Sequence, residues 1–283
     1  MEIVTACTLD CPDSCSLLVE TFADGTIRVK GNPNHPVTAG FTCAKIRRFT
    51  QRLRSKHRIT SPLLRQGKNW KSIGWEEALQ LCAEKIQQYR SEPESILHLR
   101  GEGDKGVLSQ ASKLFFAELG ASQTTGSLCD VAGIAACVAD FGSLETNDVL
   151  DLANAATIIN WGKDLGRSSN HLAALVRKGR QKGARVLTIS PGGDGNLSYS
   201  DRMIIIRPGT DRFLAMAVVQ LLLKRGKIPR EIIERTRNWN RFQKLVTAKP
   251  VSELANWCHV SKDAVEELFE FYVRPEPVAT LLG

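Results

Sequence analysis

Two rhythms of apolar and polar positions divide the chain. Before about residue 58 the apolar positions come in short runs broken by turn residues. Leu17-Leu18-Val19-Glu20-Thr21 and Thr26-Ile27-Arg28-Val29-Lys30, separated by Ala23-Asp24-Gly25, predict two strands joined as a hairpin. Gly31-Asn32-Pro33-Asn34-His35-Pro36 predicts a loop leading to Cys43. From Ser72 the pattern alternates between helix and strand. Trp75 to Tyr89 places Ala78, Leu79, Cys82 and Ile86 on one helical face. Ile96-Leu97-His98-Leu99 predicts a short strand running into Gly101-Glu102-Gly103, and Val107 to Leu119 a helix closed by Gly120.

Further on, strands are predicted at Thr157–Trp161, Arg185–Ile189 and Met203–Ile206, with helices at Asn170–Lys182, ended by Gly183, and from Asp211 to about Lys224. Strands rich in β-branched residues, interleaved with helices, predict an α/β fold: a small β-rich unit, then αβα units with a parallel, Rossmann-like sheet covered on both faces. Pro277 to Gly283 reads as one more buried strand, reaching the loop where a ligand would bind. Complete domains seldom finish on such a step, so the expectation is a truncated or split chain, completed by a missing C-terminal segment or a partner subunit.

Composition narrows the function classes. With 283 residues, 42% hydrophobic and 24% charged, the chain has room for two compact units, or for one large one with a small cap. No apolar run approaches the ~20 residues of a membrane span. The start, Met1 to Cys7, lacks the basic and apolar segments of a signal peptide. Arg47-Arg48 lies too far inside, with no apolar stretch after it, to be a twin-arginine signal, so the expected location is cytoplasmic. The net charge of +8 would suit an anionic ligand. Its carriers are dispersed except for Lys45–Arg58 and Arg177–Lys182, and no nucleic-acid signature accompanies them.

The eight cysteines are distributed unevenly. Cys82, Cys129, Cys137 and Cys258 are scattered, whereas Cys7-x3-Cys11-x3-Cys15, with Cys43 further on, crowds a loop-rich stretch. Four thiolates on so small a unit can hold a [4Fe–4S] cluster, three ligands on one side and one distant residue closing the other. Structural zinc also takes four cysteines, usually as two separated pairs. Either centre would stabilise a unit with little apolar material of its own.

Cys7-Thr8-Leu9-Asp10-Cys11-Pro12-Asp13-Ser14-Cys15, then Gly31-Asn32-Pro33-Asn34-His35-Pro36, then Gly40-Phe41-Thr42-Cys43-Ala44-Lys45 resembles the opening of the molybdopterin oxidoreductases of the dimethyl sulfoxide reductase family. The likeness continues through Arg58–Arg65, Trp70–Leu79 and Asn160-Trp161-Gly162 to Arg207–Asp211, in the family's order over nearly the whole chain. It implies a [4Fe–4S] domain at 1–57, an αβα domain at 58–145 contributing the metal ligand, and a Rossmann-like pterin dinucleotide domain at 146–283. The implied cofactors are the cluster, held by Cys7, Cys11, Cys15 and Cys43, and molybdenum or tungsten on two pterin guanine dinucleotides.

The resemblance gives roles to further residues. Lys45 would sit between cluster and pterin and assist electron transfer; an ammonium group there would bind pterin or phosphate anions. Cys129, in Gly126-Ser127-Leu128-Cys129-Asp130-Val131, would ligate the molybdenum or tungsten from a helix start, where the dipole lowers a thiol pKa. Asp130 is the rival ligand; it stands where formate dehydrogenases of the family carry histidine. Cys82, Cys137 and Cys258 are expected as small core residues.

Three turns at strand ends are expected to bind the dinucleotide: Trp161-Gly162-Lys163-Asp164, Ser190-Pro191-Gly192-Gly193-Asp194 and Pro208-Gly209-Thr210-Asp211. Asp211 could accept paired hydrogen bonds from a guanine edge, and Asp164 replaces a usual asparagine. His35 and His171 are expected to serve in turn packing and a phosphate contact. No Gly-x-Gly-x-x-Gly follows a strand, which argues against a standard NAD site.

The expected function is an oxidoreductase module passing electrons between the cluster and a pterin-held metal, with a small-molecule substrate and an electron-transfer partner. Three other readings are a non-catalytic electron-carrier subunit, a zinc-stabilised binding module and a tungsten-dependent hydratase.

Overall fold

The structure, a computed structural model, describes residues 1–9, 11, 13–101, 107–126, 131–144 and 147–283. It opens with a three-stranded antiparallel sheet, β1 (Glu2–Ala6), β2 (Ser16–Thr21) and β3 (Ile27–Gly31). The predicted hairpin is β2–β3, in register Val19↔Val29; β1, a fully exposed edge strand, is an addition to it. The short helix α1 (Ala44–Arg47) follows Cys43 and buries Ile46 against Cys15 and Leu17. Gly31 makes this return possible. A Cβ there would lie 2.2 Å from the carbonyl oxygen of Gly40, so only glycine lets the loop back onto the sheet.

The middle of the chain holds the hairpin β4 (Leu63–Gln66) and β5 (Asn69–Ser72), then α2 (Trp75–Gln88), β6 (Leu97–His98), α3 (Val107–Leu119), β7 (Ser122–Gln123) and α4 (Val131–Phe141). Helices α2, α3 and α4 bury no residue among those described. This corrects the expectation for Leu79 and Cys82: Leu79 is 64% exposed, and Cys82 is exposed too. The helical period is as predicted, but no other described element covers the apolar face.

The remainder is a parallel sheet wrapped in helices. Its elements are β8 (Thr157–Trp161), α5 (Asn170–Gln181), β9 (Arg185–Ser190), β10 (Arg202–Ile205), α6 (Asp211–Lys224), α7 (Arg230–Arg235), α8 (Trp239–Val246), α9 (Val251–Cys258), α10 (Lys262–Tyr272) and β11 (Val278–Leu282). The strand order is β10-β9-β8-β11, all parallel. Strand pleating sends alternate side chains to opposite faces. Ile158 and Val186 meet Leu172 and Val176 of α5. Their neighbours Ile159, Leu187 and Ile189 meet Leu214 of α6, Leu254 of α9 and Phe269 of α10. Both faces are therefore covered, as the β-branched runs predict.

The chain moves outward from β8 to β10, then returns through α6–α10 to lay β11 on the other side of β8. In such doubly wound sheets the ligand crevice opens beyond the carboxyl ends of the strands flanking that reversal, here β8 and β11. No helix among the described residues is long and apolar enough to cross a membrane.

Candidate functional site

Cys7, Cys11, Cys15 and Cys43, which sequence spacing groups together, line one cavity of about 160 Å³ with Asp13, Phe41, Lys45 and Asn170. Backbone bonds shape the loop: Cys7 N–H donates to Cys15 O (2.8 Å) and Ser14 N–H to Cys11 O (3.3 Å). Ser14 takes φ +41°, in the left-handed region, to turn Cys15 inward. Cys43 stands at the N-cap position of α1.

The electrostatics of the cavity favour a cationic core. Burial first, then the charge of Asp13 and the neighbouring thiols, pushes the Cys15 thiol up to about 11. Burial likewise raises the Cys11 thiol. Four thiolates would repel one another there unless iron held them. The four thiols line one shared cavity, a setting that four thiolates around an iron–sulfur cube would occupy.

The cavity abuts the sheet unit along the segment before α5. Lys45 Nζ donates to Arg167 O (3.2 Å), Cys11 Sγ reaches Ser168 O (3.7 Å), and His171 N–H donates to Asp13 Oδ2 (3.0 Å). The His171 ring is buried, with its centroid 5.5 Å from that of Phe41. The phosphate contact expected of His171 is therefore corrected to packing at this seam. His35 is a turn residue, its Nδ1 accepting from Thr38 N–H (3.1 Å).

The three strand-end turns form one ledge. Trp161 Nε1–H donates to Asp211 Oδ1 (2.9 Å), tying the ends of β8 and β10. Asp164 Oδ1 accepts from the N–H groups of Arg167 and Gly195, and Arg167 donates to Gly193 O (2.9 Å), which joins in the end of β9. Ser190 Oγ accepts from Gly192 N–H (3.1 Å), and the Thr210 hydroxyl donates to Arg207 O. Thus Asp164, Ser190, Thr210 and one oxygen of Asp211 are engaged in holding the turns.

The face they leave is backbone. Gly162, Gly192 and Gly209 have φ between +77° and +87°, where a side chain would be strained. Gly283 N–H donates to Trp161 O (2.9 Å), and a Cβ on Gly283 would lie 2.4 Å from Gly162 C, so backbone meets backbone beside the reversal. A bare ledge of this kind fits a phosphate-bearing ligand.

Cys129 and its rival Asp130 lie outside the described residues. Cys258, by contrast, is a buried core thiol bonded to Thr210 O, as expected. Cys137 is half-buried.

Sequence reasoning missed three residues at the site. Buried Asn196 accepts from Leu165 N–H and donates to Lys163 O, fixing the first turn. Buried Asn160 also donates to Lys163 O, while its Oδ1 has no partner. Asp13 joins the cysteine loop to α5. An asparagine inside an otherwise apolar strand is a signal for the second; nothing local marks the other two.

Residues 1–55 match the family model for the molybdopterin oxidoreductase Fe4S4 domain, and residues 58–246 the model for molybdopterin oxidoreductase. The chain is 31% identical over 284 residues to the probable oxidoreductase YyaE of Bacillus subtilis, covering 99% of itself and 42% of that protein. It is 25% identical to the F420-dependent formate dehydrogenase subunit alpha of Methanocaldococcus jannaschii, covering 97% of itself and 41% of that subunit. In structure it resembles acetylene hydratase from Pelobacter acetylenicus, with a TM-score of 0.78 and 20% identity, over 99% of this chain and 40% of that one. That last likeness shows the fold alone. With both family models matched in order along a chain that spans about two-fifths of the length of such relatives, the protein belongs to the molybdopterin oxidoreductase family and carries its Fe4S4 domain.

Proposed function

We propose that this chain is the electron-handling module of an iron–sulfur, molybdenum or tungsten pterin oxidoreductase that oxidises or reduces a small substrate. The observation that carries this reading is the common cavity of Cys7, Cys11, Cys15 and Cys43, set against the ledge-bearing sheet unit. When bound, the cluster stores single electrons and the pterin-held metal supplies two-electron chemistry on substrate.

The chain's own residues hold and tune these groups. The four cysteines ligate the cluster, with Leu9, Phe41 and Ile46 on the cavity wall limiting water. Lys45 spans the seam, its ammonium group beside both the cavity and the Arg167 carbonyl, where it offsets negative charge between cluster and pterin. Gly162, Gly192 and Gly209 offer backbone to the dinucleotide, while Asp164, Ser190, Thr210 and the Trp161–Asp211 pair keep that backbone in place. Cys129 is proposed as the metal's protein ligand from the chemistry of its side chain and its sequence context. The electron-transfer partner is a separate protein or subunit, and the module works in a reducing compartment, where these thiols stay free for iron.

The test is anaerobic purification of the holoprotein, followed by iron, sulfide, pterin, molybdenum and tungsten analysis. The expected result is about four irons and four sulfides per chain with visible absorption, both lost in Cys43→Ser. Colourless protein with all four thiols free would sink the reading.

A further inference from the structure

We propose that Asp13 is a positioning residue that clasps the cysteine loop to the sheet unit by serving as the N-terminal cap of α5, a helix 158 residues away in sequence.

Helix α5 lacks a cap of its own. Its N-cap residue, Ser169, makes no side-chain cap bond, and the first turn contains no acidic residue. The first N–H groups of a helix need acceptors from outside it, and a capping side chain ordinarily serves the second or third. His171 is the second residue of α5, and its N–H donates to Asp13 Oδ2 at 3.0 Å. Asp13 thus supplies from the other unit both the missing acceptor and the negative charge that the positive end of a helix favours.

The same carboxylate lines the cavity of the four cysteines. It stands in the loop between Cys11 and Cys15, both of which line the same cavity. One side chain therefore does two things. It fixes where the loop sits against residues 167–171, and it places a negative charge beside the cluster. Only the second depends on the reading that the cysteines bind iron; the clasp stands on geometry alone.

Two variants in the holoprotein separate these roles. Asp13→Ala removes the acceptor and the charge, whereas Asp13→Asn keeps an acceptor oxygen and removes only the charge. By hydrogen exchange, Asp13→Ala is expected to speed exchange at the His171 amide roughly tenfold, with β8 and β9 amides unchanged. Asp13→Asn is expected to keep His171 protected while the cluster's reduction potential rises, because a nearby negative charge disfavours the reduced cluster. Unchanged His171 exchange in Asp13→Ala overturns the clasp, and an unchanged potential in Asp13→Asn overturns the charge role. A wild-type protein without a cluster would count against the proposed function; the exchange measurement still reads the clasp.

Discussion

In the sheet unit, Ile159, Leu187 and Ile189 are closed from water by α6, α9 and α10, while Ile158 and Val186 are closed by α5. In the cysteine unit the buried apolar set shrinks to Cys15, Leu17 and Ile46, and cysteines form part of the wall. The first unit is held by the burial of its own side chains, since each fully buried Leu, Ile or Phe contributes about 1.5–3 kcal/mol. The second has too little of this material of its own, so a centre bound by its thiols would supply the rest. The expected consequence is that cofactor loss costs the sheet unit little stability and the cysteine unit much.

That contrast can be broken from either side. The largest effect is expected at Phe269, 2% exposed in the core of the sheet unit. Phe269→Ala should cost about 3–5 kcal/mol in denaturant unfolding of the sheet unit. A loss equal to that of an exposed control would mean that this core is not what holds the unit.

Next comes the cysteine unit, where backbone geometry replaces packing. Gly31→Ala puts a Cβ 2.2 Å from Gly40 O and should cost about 1–3 kcal/mol, lowering iron occupancy while leaving the far-UV signal of the sheet unit intact. Normal iron content would show that the Gly31–Gly40 approach does not position Cys43.

The smallest effect sharpens the comparison within the sheet unit. Burial raises the pKa of Asp201, but hydrogen bonds from Val186 N–H and the Arg180 guanidinium outweigh it and hold the carboxyl below its usual value. A carboxylate with a lowered folded pKa stabilises above its unfolded pKa and loses that contribution as pH falls through the folded one. The stability gap between wild type and Asp201→Asn should therefore be full near neutrality and close below about pH 4. A gap that widens on acidification would reverse the assignment.

Much of this was legible beforehand. Helix α3 has the predicted bounds Val107–Leu119, and α6 the predicted Asp211–Lys224, because each has a helical apolar period with a glycine or charged residues at its end. The strands β8 and β9 announce themselves by β-branched runs. β1 was missed because all five of its residues are exposed and carry no one-sided alternation. The helices α7 to α10 were missed too: α7 and α8 are short and largely polar, and only packing against α6 and the sheet shows which residues of α9 and α10 are buried. At the site, the grouping of the four cysteines was readable from spacing. The Asp13–His171 bond was not, since partners 158 residues apart leave no local trace.

The late return of the chain to β8 bears on how the protein is made. β11 pairs with β8 across more than a hundred intervening residues, so the middle of the sheet must wait for its second neighbour until those residues have been synthesised. Pairings of such long sequence separation form slowly and late. The crevice beside Gly162 therefore comes into being only with that closing strand, and no earlier stage of synthesis presents both of its walls.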